Sequence, residues 1–269
     1  MKIKEFVKTG LVLAASLSLV ACTSNETADN SLKNVQENGK LVVALSPEYP
    51  PFEFRKLVDG KDSIVGADIE LAKEIGKELG VEVEFSAMSF DNVLASVQNG
   101  KVDLAISGIS ATEERAKVFD FSIPYYTSTN KLIINKENSS QFTSLESLEN
   151  GKIGVQKGSI QEKIATELLP NASKVSISSN GELVNELKTG KINGIIFEEP
   201  IAKAYVANND NLMMVDTEIK TQYSDAYAVA LPKGSAALKE KVDAVIEKLV
   251  AEEKFNEFVQ DAYDLSINN

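Results

Sequence analysis

The sequence predicts an α/β protein built from two similar lobes, each a mostly parallel β-sheet flanked by helices. From residue 40 onward, short apolar runs alternate with amphipathic helical stretches, which is typical of β-α-β units. Four Gly-Lys turns also precede strand-like runs, two in each half of the chain. Glycine adopts the positive φ that ends one element before the next begins, so the repetition indicates two lobes of one plan. The turns are Asn38-Gly39-Lys40, Asn99-Gly100-Lys101, Asn150-Gly151-Lys152 and Thr189-Gly190-Lys191.

Hydrophobic periodicity places the individual elements. Residues Asp68–Leu79 carry apolar side chains at helical spacing, and the short runs between helices are rich in β-branched residues. The predicted helices are Asp68–Leu79, Asp91–Gln98 and Ser235–Ala262. The predicted strands are Leu41–Leu45, Val81–Phe85, Val102–Ile106, Lys131–Ile134, Ile153–Val155, Ile195–Phe197 and Ala226–Leu231.

Two polar stretches, one near the middle of the chain and one closer to its C-terminus, predict where the chain crosses between lobes. Residues 127–130 lead into the strand-like Lys131–Ile134, and residues 218–224 lead into Ala226–Leu231. We therefore expect one lobe to contain residues 39–126 and 222–269. The other lobe is then residues 131–220, inserted between the two crossovers.

The N-terminal residues predict export and a lipid anchor. Three lysines precede the apolar run Leu11–Val20, and Cys22 follows a small residue in Leu19-Val20-Ala21-Cys22. This is the pattern of a signal peptide spanning residues 1–21, and the run is shorter than the roughly 20 residues of a transmembrane helix. A cysteine at this junction resembles a bacterial lipobox, where the thiol is lipidated; the alternative is an ordinary signal peptide. Residues 22–38 are polar and predict a flexible tether at the extracytoplasmic membrane face.

Composition excludes several classes of function. Without residues 1–21, which hold three Lys and one Glu, the chain keeps 25 basic and 39 acidic side chains, a net charge of −14. Such a surface repels nucleic acid. Histidine is absent and Cys22 is the only cysteine, which excludes Ser-His catalysis, internal disulfides and the usual metal ligands. We expect neither a cofactor nor a metal.

In the first lobe, two motifs follow predicted strands, where ligands of α/β sheets bind. Tyr49 begins a Tyr-Pro-Pro-Phe-Glu segment, and Ser107–Arg115 follows the strand Val102–Ile106. Ser110 and Glu113 have the spacing of a capping box, which predicts a helix start that attracts a carboxylate. Arg115 could then clamp the anion. The alternatives are a packed strand-to-loop corner and a capped helix with a solvated arginine.

In the second lobe, two further motifs follow predicted strands. Gly158-Ser159-Ile160-Gln161 predicts a helix start with hydroxyl and amide donors, and Glu198-Glu199-Pro200 places a carboxylate at a strand end. The alternative for Glu198 is an ordinary acidic first helical turn, with proline at an early position. Together the motifs predict a carboxylate trap and an ammonium trap, which suit a free α-amino acid held between lobes.

These residues resemble the bacterial extracellular solute-binding proteins of family 3, the amino-acid-binding lipoproteins of ATP-driven importers. The resemblance runs in order from about Leu41 to the C-terminus. It implies a two-lobed fold of the type II periplasmic-binding-protein class, which closes on its ligand like a flytrap. The carrying segments are Tyr49–Phe54, Val65–Ile69, Gly100–Asp103, Ser107–Arg115, Phe119–Tyr126, Gly154–Ser159 and Glu198–Ala202.

The resemblance also implies a role for each candidate residue. Arg115 would pair with the ligand α-carboxylate, assisted by the backbone at Ser110 and Ile160. Glu198, with Ser107 or Gly108, would receive the α-ammonium group. The ligand side chain would lie between two aromatic rings, and two polar residues would reach it from the second lobe. The rings are those of Tyr49 and Phe90, and the polar residues are Ser159 and Gln161.

Three positions depart from the family pattern. Glu198 stands where aspartate is more usual, and Ile160 replaces a frequent threonine or serine. Ser46 occupies a position where binders of cationic amino acids often carry aspartate. Glu48 and Glu53 are the candidates to supply the missing carboxylate, and two aromatic rings would suit a planar guanidinium. The sequence therefore favours arginine first and glutamine next.

The implied function is capture of a polar amino acid and its delivery to a permease and an ATPase by a monomeric binding protein. Two rival functions stay open at this point. One is an enzyme that uses Glu198 or Glu53 as acid or base on the same fold. The other is an amino-acid-sensing or adhesive surface lipoprotein.

Overall fold

The computed structural model describes residues 29–217, 219–223 and 226–268. The predicted signal peptide, Cys22 and the first part of the predicted tether lie outside the described residues. So do three positions at the second predicted crossover, 218, 224 and 225. Among the described residues, no helix has the length and apolar content needed to cross a bilayer.

Helices and strands alternate along the described chain, as the periodicity predicts. The helices are α1 Ser31–Asn38, α2 Ala67–Leu79, α3 Phe90–Gln98, α4 Ile160–Leu168, α5 Asn180–Lys188, α6 Glu199–Ala207, α7 Ala236–Ala251 and α8 Lys254–Ile267. The strands are β1 Lys40–Leu45, β2 Glu48–Tyr49, β3 Glu53–Val58, β4 Lys61–Val65, β5 Glu82–Ala87, β6 Leu104–Ala105, β7 Phe119–Phe121, β8 Tyr126–Thr127, β9 Asn130–Asn135, β10 Lys152–Gln156, β11 Ser173–Ile177, β12 Gly194–Glu198, β13 Leu212–Met214, β14 Ala226–Tyr227 and β15 Ala230–Pro232.

Two five-stranded sheets of the same plan form the centres of the two lobes. Their strand orders are β5-β1-β6-β15-β7 and β11-β10-β12-β9-β13. In each sheet four strands run in one direction, and the fourth strand in the order, β15 or β9, runs against them. Each opposed strand follows a crossing between lobes. The prediction of two similar α/β lobes is therefore confirmed.

The two crossings lie side by side. Strand β8 leaves the first lobe and pairs antiparallel with β14, which re-enters it. Both belong to stretches next to the predicted crossovers, residues 127–130 and 218–224. The lobe boundaries 39–126, 131–220 and 222–269 stay a prediction.

Helices cover both faces of each sheet, so the sheets are buried. In the first lobe α2, α7 and α8 pack together on one side, and α3 packs on β1 and β15. In the second lobe α4 and α5 both pack on β10. Loops at the carboxyl ends of β1, β6, β10 and β12 thus stay free to face the space between lobes.

The predicted flexible tether is wrong for residues 31–38, which form α1. Val35 is fully buried, and Leu32 packs beside it against the first-lobe core. The Asp29 carboxylate accepts a hydrogen bond from the Ala237 N–H at the start of α7 (2.6 Å). Two apolar side chains are too few to reveal a helical period, but they dock the helix on its neighbour. The helix ends at Gly39 with φ +67°, as the Gly-Lys turn predicts.

The predicted long helix Ser235–Ala262 is also wrong, because it is interrupted. Helix α7 ends at Ala251 and α8 begins at Lys254. Glu253, between them, has φ +55°, a left-handed conformation that terminates a helix. Neither glycine nor proline marks this break in the sequence.

Substituting Gly66 is expected to destabilise the first lobe strongly. Its φ is +135°, and a Cβ atom there would lie 2.1 Å from the Phe52 carbonyl oxygen. That oxygen accepts the Asp68 N–H (2.9 Å) and cannot move away freely. We expect Gly66→Ala to lower the free energy of unfolding by about 3 kcal/mol or more.

The matched control is Gly39→Ala, which also has positive φ but open space around the added atom. Its expected cost is about 1 kcal/mol. Chemical denaturation of both variants measures the difference. Equal losses would show that backbone conformation alone, and not the contact with Phe52, sets the penalty.

Candidate ligand-binding site

One cavity between the two lobes brings together all ten residues that the sequence singles out. About 300 Å³ of space there is not filled by protein atoms, and this space includes part of the open solvent at the cavity mouth. Two further residues line it, Ser46 directly after β1 and Gln156 at the end of β10. Both lie at carboxyl ends of strands, the signal that could have found Gln156. The lining is Ser46, Tyr49, Phe90, Ser107, Gly108, Ser110, Arg115, Gln156, Ser159, Ile160, Gln161 and Glu198.

The loop after β6 forms the floor of the cavity on the first lobe. The Ser46 N–H donates to Ser107 Oγ (3.1 Å), which joins this loop to the end of β1. Gly108 has φ +53°, and a Cβ atom there would lie 2.5 Å from the Tyr49 ring. Glycine is therefore required both by the backbone conformation and by the close approach of Tyr49.

The helix predicted to start at Ser110 does not form. Ser110 instead makes an antiparallel bridge with Tyr227, a pairing distant in sequence that holds it extended. Only a short 3₁₀ turn, Arg115–Lys117, follows, and the Arg115 N–H donates to Thr112 Oγ1 (3.2 Å). No α-helix begins here, so the positive charge that this lobe brings to the cavity lining is the Arg115 guanidinium rather than a helix N-terminus.

Arg115 supplies a positive charge inside the cavity. Its guanidinium lies over the Phe90 ring, 5.7 Å from the ring centroid. It donates to the Ser110 carbonyl (2.9 Å) and, across the cleft, to the Gly158 carbonyl (3.1 Å). These bonds use two of its five N–H groups. Burial lowers the pKa of Arg115 to about 10, against the attraction of Glu198, so the side chain is charged at neutral pH.

The second lobe contributes a helix start to the same cavity. Helix α4 begins at Ile160, and Ser159 caps it by accepting the Glu162 N–H (3.3 Å), which confirms the predicted helix start. Gln161 is buried and donates to Asn130 Oδ1 (2.8 Å). The Ile160 side chain is buried in the lobe, so this residue offers the cavity only its backbone.

Glu198 supplies the negative charge. It ends β12, precedes α6 and is only 3% exposed. It accepts a hydrogen bond from the Tyr49 hydroxyl of the first lobe. Burial and the Glu198 charge raise the pKa of Tyr49 well above its usual value, so the phenol stays a donor. The lining therefore carries one cation and one anion on opposite lobes.

The two other acidic candidates do not line this cavity. Glu53 is fully buried behind Ser107, whose hydroxyl donates to it. The Glu48 carboxylate is bound by the second lobe at Ser179 and Gly181. Neither therefore supplies the carboxylate that Ser46 lacks, and Glu53 has no access to a molecule in the cavity.

Comparison with known proteins decides the family. Residues 41–263 match the family described as bacterial extracellular solute-binding proteins, family 3. The chain belongs to this family. The resemblance drawn from the sequence motifs is thereby confirmed.

Individual relatives of this solute-binding protein are described as amino-acid-binding proteins. The arginine-binding extracellular protein ArtP of Bacillus subtilis is 35% identical over 252 residues, covering 89% of this chain and 94% of its own. A probable histidine-binding protein of Campylobacter jejuni is 34% identical over 230 residues, covering 86% and 87%.

A solved structure has the same fold. The amino-acid ABC transporter substrate-binding protein AbpA of Streptococcus pneumoniae, bound to L-arginine, is 54% identical and superposes with a TM-score of 0.85. The match covers 88% of this chain and all of that one. The two-lobed fold of this solute-binding protein is thus shown by a close relative as well as by its own sheets.

Two ion pairs and a hydrogen bond join the lobes of this solute-binding protein. Lys157 pairs with Asp91 across the cleft (3.0 Å), and Lys163 pairs with Glu114. The Tyr49–Glu198 bond joins the lobes within the cavity itself. The structure therefore represents a closed arrangement.

Glu48 makes the most extensive polar contact between the lobes. Its carboxylate accepts from Ser179 Oγ (2.8 Å) and from the Gly181 N–H (3.2 Å) in the first turn of α5. Its main-chain carbonyl accepts from the Tyr205 hydroxyl (2.9 Å) and from Asn180 Nδ2 (3.3 Å). A carboxylate at a helix N-terminus is favoured by the helix dipole. These four bonds all join the two lobes in this closed arrangement.

Proposed function

We propose that this chain is the lipid-anchored substrate-binding protein of an ATP-driven amino-acid importer, and that L-arginine is its preferred ligand. The observation that carries the proposal is the placement of Arg115 and Glu198 on opposite lobes of one cavity. A free amino acid has one carboxylate and one ammonium group. Each charge of the ligand therefore finds its complement only when both lobes close on it.

The carboxylate end is assigned to the first lobe. Arg115 keeps three N–H groups beyond those donating to Ser110 and Gly158, enough for a bidentate pair with a carboxylate. The N-terminus of α4 at Ile160 adds backbone donors from the second lobe. Together they supply charge-assisted hydrogen bonds, each contributing about 1.5–3 kcal/mol.

The ammonium end is assigned to Glu198 and the loop after β6. Glu198 faces the cavity and is the lining residue that carries a negative charge. Ser107 and Gly108 lie on the same side as Tyr49, whose hydroxyl already points at Glu198. An ammonium group has three donors to distribute among these acceptors.

Arginine is favoured by the lining and by the relatives. The rings of Phe90 and Tyr49 both line the cavity, and aromatic rings attract a planar cation. The relatives described as binding arginine include one bound to L-arginine at 54% identity.

Capture and release follow from closure. Ligand binds to the open protein and favours the closed form through contacts that exist only there. Shifting the lobes from 1:99 to 99:1 closed requires about 5.5 kcal/mol of preference, which the two charge clusters can supply. The closed protein, held at the extracytoplasmic membrane face by lipid on Cys22, then acts as a monomer and delivers its ligand to the permease.

Thermal unfolding of residues 23–269 with each of the twenty amino acids tests the ligand assignment. A ligand at a hundredfold excess over its dissociation constant stabilises the native state by about 2.7 kcal/mol. We expect arginine to give the largest shift, with glutamine next. L-citrulline, which has the shape of arginine without its charge, should give a smaller shift. No shift with any amino acid would refute the proposal.

Glu48 is expected to control closure without selecting the ligand. Glu48→Ala removes both side-chain bonds to α5 and should weaken binding of each ligand about tenfold, or roughly 1.4 kcal/mol. Titration calorimetry with arginine and with glutamine measures the two ratios. Glu84→Ala, which breaks a surface pair with Lys40 inside the first lobe, is the control. A loss confined to arginine would instead mean that Glu48 contacts the guanidinium.

A further inference from the structure

Two carboxyl groups are buried directly beneath the binding loop. Glu53 begins β3 and is 0% exposed, and Asp68 lies in the first turn of α2 and is 1% exposed. Neither lines the ligand cavity. They belong to different elements that meet under the loop after β6, so the fold brings two acids together away from solvent.

The two acids hold the loop residues assigned to the ligand ammonium. The Ser107 hydroxyl donates to Glu53 Oε1. The Gly108 N–H donates to Asp68 Oδ2 (3.3 Å), and the Tyr125 hydroxyl donates to the same oxygen (3.0 Å). Any change in the charge of this pair therefore acts on both Ser107 and Gly108.

The second oxygen of each carboxyl group bears on how the pair is protonated. Glu53 Oε2 and Asp68 Oδ1 are buried and accept no N–H or O–H of the described residues. The pair therefore leaves one buried oxygen on each of two neighbouring carboxyl groups without a donor, and each group perturbs the pKa of the other. Two ionised carboxylates would repel one another and leave both oxygens without a donor, whereas protonating one group supplies an O–H that can donate to the other.

No cation is among the groups that shift the pKa values of Glu53 and Asp68 most. Beside Ser107 and Gly108, these are the Tyr125 hydroxyl and the Glu198 carboxylate. Two further phenols lie beyond them: the Tyr227 ring is 6.2 Å from that of Tyr125, and Tyr49 donates to Glu198. The surroundings thus favour a pair with fewer negative charges.

We propose that Glu53 and Asp68 share a proton at neutral pH, and that this protonated pair positions Ser107 and Gly108 to receive the ligand ammonium. The second half rests on the proposed function, whereas the shared proton does not. Glu53, which accepts only one hydrogen bond from the loop, carries the proton and donates it to Asp68. Asp68 keeps the negative charge and is stabilised by Gly108 and Tyr125.

The titration of both groups agrees with this assignment. Burial, followed by repulsion from Asp68, raises the pKa of Glu53 well above its usual value. Burial raises the pKa of Asp68 to about 7, although Tyr125, Gly108 and Glu53 act in the opposite direction. The native pair therefore keeps protons that the unfolded chain loses above about pH 4.5.

The sign of the pH dependence follows from linkage. Because the folded pKa values are raised, the contribution of the pair to stability is complete below the unfolded values and is lost as pH rises. For each proton that only the native state retains, the unfolding equilibrium constant increases tenfold per pH unit. Stability that falls between pH 5 and 8 is the expected behaviour.

Glu53→Gln tests the shared proton without any ligand. Glutamine has the same shape, accepts from Ser107 and donates to Asp68, but cannot lose a proton. From pH 6 to 8, the unfolding constant of the wild-type chain should rise at least tenfold more than that of the variant. Parallel pH profiles would overturn the proposal.

Infrared spectroscopy of the wild-type chain provides a second test that needs no variant. A protonated carboxyl group has a carbonyl stretch distinct from that of a carboxylate. We expect this band to persist at pH 8, where ordinary carboxyl groups are ionised. Its absence at pH 8 would overturn the proposal even if the substituted chains fail to fold.

The positioning role is tested by binding. Glu53→Leu removes the acceptor for Ser107 and should weaken arginine binding at pH 7 at least tenfold, and Glu53→Gln should recover most of that loss. Equal affinities of the two variants would overturn the positioning role. If wild-type protein binds no amino acid, the proposed function fails, while the pH profile and the infrared band still decide the shared proton.

Discussion

Replacing Arg115 with alanine is expected to abolish amino-acid binding at micromolar concentrations while leaving the protein folded. Arg115 is the lining residue with a positive charge, and its bonds to Ser110 and Gly158 leave three of its five N–H groups for a ligand. Losing one partner of a desolvated, hydrogen-bonded charge pair costs 2–5 kcal/mol or more. We expect a loss of about 4 kcal/mol, a factor of roughly 1,000 in the dissociation constant.

Arg115→Lys refines this prediction. Lysine keeps the charge but cannot form the two parallel bonds of a guanidinium fork, so we expect about a hundredfold loss. The control is Arg55→Ala, which removes the other arginine of the chain, paired with Asp62 at the surface. Titration calorimetry gives the affinities and thermal unfolding verifies the fold. Near-native affinity of Arg115→Ala would exclude the carboxylate role.

Replacing Glu198 with glutamine is expected to cause a loss of similar size. Glu198 is almost fully buried, and the change removes the negative charge of the lining while keeping its shape. The ligand ammonium would then be buried without a counter-charge, at a cost of about 3 kcal/mol or more. We therefore expect arginine to bind at least a hundredfold more weakly.

The adjacent residue provides a matched control. Glu199 pairs with Lys203 (2.6 Å) and accepts from Thr129 (3.0 Å), and it does not line the cavity. Glu199→Gln should change the affinity by less than threefold, since exposed ion pairs contribute little. The two variants have the same charge, so a comparable loss in both would mean that overall electrostatics, not the ammonium contact, sets the affinity.

Local sequence patterns predicted most of the fold because turn and capping residues stand at the ends of the strands. The Gly-Lys turn at Gly39 ends α1, and Ser159 and Glu198 begin helices where hydroxyl capping and an acidic first turn predict them. Since ligand sites in α/β folds lie at carboxyl ends of strands, the same signals located most of the candidate residues, and the family resemblance added Phe90. All ten line one cavity.

The errors come from interactions that are distant in sequence. The Ser110–Glu113 spacing predicts a capped helix, but Ser110 pairs with Tyr227, more than a hundred residues away. Helix α1 forms because Val35 packs against the core, and its sequence has no apolar periodicity that predicts a helix. The interruption at Glu253 carries no glycine or proline.

Three acidic side chains show most clearly what sequence patterns could not predict about the site. Glu48, Glu53 and Glu198 all follow strands or turns near the site, and the sequence treats each as a possible ligand carboxylate. The structure separates them: Glu198 faces the cavity, Glu48 binds the N-terminus of α5, and Glu53 faces Asp68. The direction of a side chain depends on which helices and strands pack against it. The spacing of residues along the chain does not give that information.

Calorimetric titration of the wild-type chain with L-arginine, arginine amide and Nα-acetylarginine tests the central claim most directly. The amide lacks the carboxylate, and the acetylated compound lacks the ammonium charge. If Arg115 and Glu198 hold the two ends of a free amino acid, arginine binds one to one, and each analogue binds at least a hundredfold more weakly. If either analogue binds as tightly as arginine, the corresponding trap does not exist and the account is wrong.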